Sequence, residues 1–404
     1  MPNPDLLFVT RDIVPCSTGS GSAVLCRALV DMFEKAGLTT EIIVFRTGAA
    51  ARSGSRDADL DARIRTVDER APGMFRRLRR LVAPTDSDYF IDPGLIHREL
   101  QQYDWKKTRF LCTYSWEPLS AHSAVPETVL SIASVVDLIE NGRELRRQHG
   151  RRHQRRNLAS SVLSRLRWRN QGAACTRLLA GADLVLEHAS QHADELRGRG
   201  IRNVHYLPHP LPKRERLAQI PSETVRILIP GSFKGIASRI GFEYFFDELL
   251  PAFDQRREKL SCPCRFRVVG HGKMPEQFLR KLEQRADCEF GGYVDDIVAE
   301  YRNTDIILVN VPIPHGFRTR IAEAFSFGLC VVAHEANAVG MPELVDDTNI
   351  LMAADPGILA EKLIRAINDS ALRSQIAARA RLDFETTISM DVAAARMRQL
   401  LELP

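Results

Sequence analysis

The chain has 404 residues, a net charge of +5 and a hydrophobic fraction of 44%, a length that predicts two or three domains. This composition excludes a wholly disordered or collagen-like chain. No run approaches the roughly 18 apolar residues of a membrane helix. The opening MPNPDLLFVTRD lacks the basic n-region of a signal peptide, so a cytoplasmic protein is expected.

LLFV (6–9) reads as a short buried strand, followed by the loop TRDIVPCSTGSGS. Val24, Leu25, Ala28, Leu29, Met32 and Phe33 fall on one helical face, Gly37 marks a stop, and EIIVF (41–45) is a second strand. Residues 48–72 are polar and weakly patterned and read as a mobile loop. FLCTY (110–114), IASVVDLI (132–139), DLVLEH (183–188) and NVHYLP (203–208) are further strands. The four prolines of 208–224 resist helix and central strand alike and predict a linker.

The second half starts again with a strand, VRILIP (225–230), and alternates. Helix 241–257, strand 266–270, helix 275–286, strand 288–293 and helix 295–302 follow. Strand 305–311, helix 318–327, strand 330–334 and helical stretches 356–382 and 390–402 complete it. Strands separated by helices predict parallel sheets covered on both faces. The expected architecture is α/β, with two Rossmann-like lobes, 1–207 and 225–385, facing across a cleft. Residues 386–404 read as a closing helix that packs back on the first lobe. The eight cysteines show no repeated CxxC spacing, which favours buried reduced thiols over a zinc site.

Ligands of open α/β sheets bind beyond the carboxyl ends of the strands. The most informative such segment is HGFRTRIAEAFSFG (315–328). Gly316 permits close backbone approach. A helix beginning near Phe317 or Arg318 aims free N–H groups and its positive dipole end at a ligand. Arg318 and Arg320 add charge suited to a diphosphate, and Glu323, on about the same face as Arg320, suits ribose hydroxyls. The plainer alternative is a surface helix with an Arg320–Glu323 ion pair. In AHEANAVGMPELV (333–345), the amides of Asn337, Ala338, Val339 and Gly340 can turn toward the same phosphate. In IPGSFKG (229–235), Gly231 and Ser232 end a strand, and Lys234 or Arg239 could reach phosphate oxygens as point charges. VVGHGKMPE (268–276) ends a strand at Gly270 and matches only part of a dinucleotide fingerprint. Gly19 and Gly21 follow their strand too late for that fingerprint and read as a glycine-rich loop facing the cleft.

These stretches together resemble the retaining nucleotide-sugar glycosyltransferases of the GT-B fold, glycosyltransferase family 4. The matching segments are ILIPGSF, ELLPAF, FRVVGHG, CEFGGYVDDI, TDIILVNV, GFRTRIAEAFSFGLCVVAHE and AVGMPEL, in the family's order. The resemblance implies that Glu323 binds the donor ribose and that Arg320 stands where the family has a phosphate-binding Lys. It places His315 at a position usually held by a first Glu, and Val294 beside the donor. Lys234 or Arg239 matches the family's second phosphate-clamping cation. Asp137 stands nearest the acceptor-side His of many members. The implied reaction moves a sugar from a nucleoside diphosphate to an acceptor hydroxyl with retention. It needs no metal or cofactor, because basic residues and helix N–H groups stabilise the leaving diphosphate. The products expected are surface polysaccharides, glycolipids or natural-product glycans. The alternatives are a catalytically silent scaffold subunit, which His315 motivates, or another GT-B enzyme such as a sugar-nucleotide epimerase.

Residues 143–169 hold ten arginines (143, 146, 147, 151, 152, 155, 156, 165, 167 and 169) against one acid, Glu144. Such a block is a solvated face or a site for anionic lipid headgroups or an acidic acceptor, with a place on the inner face of a membrane. No nucleic-acid module accompanies it.

Overall fold

The computed structural model describes residues 4–17, 21–47, 57–69, 90–135, 170–217, 220, 222–233 and 235–403. The chain divides into two units, Met1–Pro210 with Ala393–Pro404, and Leu211–Val392. Each is built on its own parallel sheet.

The first sheet holds seven strands: β1 (Leu6–Arg11), β2 (Thr40–Thr47), β3 (Ile64–Glu69), β4 (Phe110–Tyr114), β5 (Leu130–Val135), β6 (Leu184–Glu187) and β7 (Val204–Tyr206). Their order is β3-β2-β1-β4-β5-β6-β7. Leu6, Leu7, Phe8 and Val9 are fully buried, because β1 lies centrally with both faces covered. The helix Gly21–Lys35 turns Cys26, Leu29, Met32 and Phe33 inward. Its end carbonyls, on Lys35 and Ala36, accept hydrogen bonds from the Arg398 guanidinium of the closing helix Met390–Leu400, at 2.8 and 3.1 Å. A cation there also suits the negative end of the helix dipole.

Part of the expected loop over 48–72 is ordered structure. Residues 58–61 form a short helix, and β3 pairs in parallel with β2 over six residues. At the edge of the sheet β3 buries little, so its sequence IRTVDE is mostly polar and hides the strand. Residues 48–56 and 70–72 lie outside the described residues. The expected strand 132–139 is β5, which ends among them at Val135.

The second sheet holds β8 (Val225–Ser232), β9 (Cys264–His271), β10 (Cys288–Gly292), β11 (Ile306–Val309), β12 (Cys330–His334) and β13 (Leu351–Ala353), in the order β10-β9-β8-β11-β12-β13. The three-residue β13 is too short for its pattern to announce it. Ile227, Ile229, Phe266 and Val268 face a core shared with Phe242, Phe245, Phe253 and the helix Pro356–Asn368. The helix expected at 241–257 starts earlier, at Ile236, and runs to Asp254. Between them Phe245–Leu249 widens into a π turn. Pro251 lacks an N–H and would crowd the carbonyl four residues back, and the wider turn relieves that clash. The helical stretch 356–382 is broken at Asp369, whose carboxylate caps the next helix by accepting the Leu372 amide at 2.9 Å.

The eight cysteines are free thiols, buried except for the half-buried Cys262, Cys264 and Cys288. No helix among the described residues is long and apolar enough to cross a membrane.

Candidate functional site

In the second sheet, β8 neighbours β11, and the chain winds outward from this pair in opposite directions. The loops at the carboxyl ends of these two strands therefore diverge and leave a crevice. The segment following β11 enters it, passing through Gly316 at φ +77°, a left-handed conformation that a side chain would strain. The helix Thr319–Phe327 begins immediately afterwards. The Ile321 and Ala322 amides bond back to the Arg318 carbonyl, leaving those of Thr319 and Arg320 with no acceptor earlier in the helix. Gly328 ends the helix in the left-handed conformation, at φ 69°.

The three charged residues of this helix have different settings. Arg318 is a structural clamp: its guanidinium donates to Asn337 Oδ1 at 2.7 Å and to the Ile313 carbonyl at 2.6 Å. Asn337, buried, donates in turn to the His334 carbonyl at 2.6 Å. The Arg318 fork is thus held by two neutral acceptors of the protein itself, while its positive charge stays at the start of the helix. The clamp also brings the short helix Glu335–Gly340, with Ala338, Val339 and Gly340, alongside the start of the helix Thr319–Phe327.

Arg320 and Glu323 form no ion pair among the described residues; each is hydrogen-bonded instead to a neighbouring helix. Arg320 donates to Ser238 Oγ at 2.8 Å, on the helix Ile236–Tyr244 that follows β8. Glu323 accepts from the Tyr301 hydroxyl at 2.9 Å, on the helix Ile297–Arg302 that follows β10. The two charges are drawn to opposite neighbours and held about one turn apart, roughly 4.5 Å of rise. Burial holds the Arg320 guanidinium below its usual range, partly offset by Tyr301 and Glu323. It still carries its charge, since an arginine does not deprotonate in a protein. Burial raises the Glu323 carboxyl, opposed by the Tyr301 hydrogen bond and by Arg214 and Arg320. Burial and the Glu323 charge push the Tyr301 phenol up.

Gly231 and Ser232 end β8, where the Ser232 amide donates to the same Ser238 Oγ at 3.2 Å. Gly270 lies opposite Gly231 in the ladder, and a Cβ there would sit 1.8 Å from the Gly231 carbonyl oxygen. Its glycine is required by strand packing, before any ligand is considered. Arg239 is exposed on its helix, and Lys234 lies outside the described residues. His315, Phe317 and Val294 are half-buried, Val294 in the loop between β10 and the helix Ile297–Arg302. In the first unit Gly21 opens a helix instead of lying in the preceding loop. Gly19 and Asp137 lie outside the described residues, as do Arg143–Arg169.

Ser238, Tyr301 and Arg214 were not singled out in the sequence. Tyr301 occupies an apolar position of its helix and is indistinguishable there from core. Ser238 has no pattern around it, and Arg214 stands in the proline-rich segment.

Residues 224–369 match the family model described as Glycosyl transferases group 1. No curated protein matches the sequence significantly. Among solved structures, the chain is similar to HepE of Anabaena in complex with UDP and glucose, at 15% identity over 99% of both chains, with a TM-score of 0.62. It is similar to the lipopolysaccharide outer core galactosyltransferase WaaB, at 13% identity over 98% of this chain and 99% of that one, with a TM-score of 0.65. Sucrose-phosphate synthase of Thermosynechococcus elongatus is 14% identical over 98% of both chains, with a TM-score of 0.67. The chain thus has the α/β fold of the GT-B glycosyltransferases, and its second unit carries, over residues 224–369, the match to the group 1 glycosyl transferase family.

Proposed function

We propose that the protein is a retaining glycosyltransferase that moves a sugar from a nucleoside-diphosphate sugar to an acceptor hydroxyl. The observation that carries this reading is the helix Thr319–Phe327. Its start and Arg320 suit a diphosphate, and Glu323, a turn further on, suits a diol. The UDP in HepE supports uridine nucleotides as the first donors to try.

As the sugar–phosphate bond breaks, charge grows on the leaving oxygen, and Arg320 with the helix-start amides stabilises it. The acceptor oxygen bonds to the anomeric carbon on the same face, and its proton passes to the departing phosphate oxygen. No metal is required in this scheme, and a chelator is expected to leave turnover unchanged. A chelator-sensitive rate would contradict it.

The deciding experiment is incubation with a panel of nucleotide sugars and acceptors, scoring released nucleoside diphosphate and the anomeric configuration of the product. Binding without turnover across the panel would favour the scaffold reading that His315 motivates. Products of surface-glycan or glycolipid type are proposed because WaaB is a lipopolysaccharide galactosyltransferase.

We also propose that the ten arginines of 143–169 hold the enzyme at an anionic membrane surface, on charge alone. Sedimentation with anionic but not neutral vesicles, fading with salt, is expected. Indifference to anionic vesicles at low salt would remove this reading.

A further inference from the structure

We propose that Tyr301 is a positioning residue for the donor site: its hydroxyl anchors one oxygen of Glu323 and leaves the other to receive the ribose. The proposal rests on the donor reading given above and adds a residue to it. Tyr301 is 1% exposed, and its hydroxyl donates to Glu323 Oε2 at 2.9 Å. Its ring packs against Phe327, with centroids 5.3 Å apart, so the hydroxyl has a fixed direction.

The chemistry follows from what the carboxylate must do. To accept from ribose hydroxyls, Glu323 has to be ionised and fixed in place. Burial opposes its ionisation, and three groups face it to restore the charge: the Tyr301 hydroxyl from the helix Ile297–Arg302, Arg320 from its own helix and Arg214 from the segment entering the unit. Of these, Tyr301 alone makes a direct hydrogen bond to it among the described residues. A hydrogen bond donated to the charged form favours that form. Without it the carboxyl titrates at higher pH, and nucleotide affinity starts to fall at higher pH as the solution is acidified.

The test uses the full chain and calorimetry. UDP, GDP, ADP and dTDP are screened, and the tightest binder is compared with its 2′,3′-dideoxy counterpart between pH 5 and 8. The native protein should prefer the hydroxyl-bearing nucleotide, and Glu323→Ala should abolish that preference. Tyr301→Phe, which keeps the ring, should weaken the hydroxyl-bearing nucleotide by about tenfold near pH 5.5 and by less at pH 8. In a Glu323→Gln background, where the group no longer titrates, Tyr301→Phe should leave the pH profile unmoved. If no nucleoside diphosphate binds, or Glu323→Ala spares the preference, the donor reading fails and takes this inference with it. Suppose instead that Glu323→Ala abolishes the preference while Tyr301→Phe matches the native profile. The inference alone is then overturned. It is also overturned if Tyr301→Phe weakens both nucleotides equally at every pH, the signature of lost packing.

Discussion

The Ser238 hydroxyl oxygen receives two donors, the Arg320 guanidinium at 2.8 Å and the Ser232 amide at 3.2 Å. It therefore ties the carboxyl end of β8 to the helix that carries Arg320 and Glu323. Ser238→Ala removes one acceptor from two partly buried donors. We expect a loss of about 1–3 kcal/mol in unfolding free energy, with weaker nucleoside-diphosphate binding. Urea unfolding and calorimetry measure the two. Unchanged affinity would mean that Arg320 needs no anchor.

Arg318 and Arg320 are separated by one residue and should respond differently to substitution. Arg320→Ala is expected to lower saturated turnover more than donor affinity, because charge on the diphosphate peaks in the transition state. Arg318→Lys is expected to lower stability instead, since one ammonium cannot span Asn337 Oδ1 and the Ile313 carbonyl as the planar fork does. Steady-state kinetics beside thermal melts separate the two. If Arg318→Lys melts normally yet loses turnover, its assignment as a clamp is wrong.

This pair also shows how far the sequence could be read. The strands β4 and β12 carry residues 110–114 and 330–334, as their apolar runs predict. Burial on both faces writes itself into composition, whereas β3, half-exposed at an edge, leaves no such mark. The helix Thr319–Phe327 was legible from its glycine, its charges and the family's spacing. What its charges touch was not. Arg318 and Arg320 look alike in a string, and only the fold assigns one to Asn337 and the other to Ser238. Tyr301 reads as core because its ring is core, and only its hydroxyl reaches Glu323.

Gly270→Ala tests whether the glycines at the ends of β8 and β9 are there for packing. The added methyl would meet the Gly231 carbonyl oxygen, which belongs to backbone and cannot turn aside as a side chain can. Overpacking costs typically about 1–3 kcal/mol, and a backbone clash this close should reach or exceed the upper end. Chemical denaturation of the purified variant reads it directly. A variant as stable as the native chain would show that the two strands part easily here, and that Gly270 is kept for another reason.

The first unit should be sensitive to acid, and the reason lies in three histidines, His188 and His209 buried and His122 half-buried. His188 donates from Nδ1 to the Leu207 carbonyl at 2.8 Å and receives the Ser134 hydroxyl at Nε2, at 2.9 Å. Its ring stacks on His209 with centroids 4.1 Å apart, and His122 bonds to Thr113 Oγ1 at 2.8 Å. Burial pushes His188 and His122 down to about 4 and His209 well below its ordinary value. Below about pH 6.5 the unfolded chain binds protons at these rings that the folded unit refuses. Stability contributed by their neutral forms is thus complete above pH 6.5 and falls as pH drops toward 4. The loss is about 1.4 kcal/mol per pH unit for each histidine. Urea unfolding of the whole chain, followed by a probe in the first unit at pH 7, 6 and 5, should show this decline. His188→Gln should make it shallower, although the variant starts from a lower stability at pH 7. A stability that stays level from pH 7 to 5 would mean these rings accept protons in the folded state, against the burial that surrounds them.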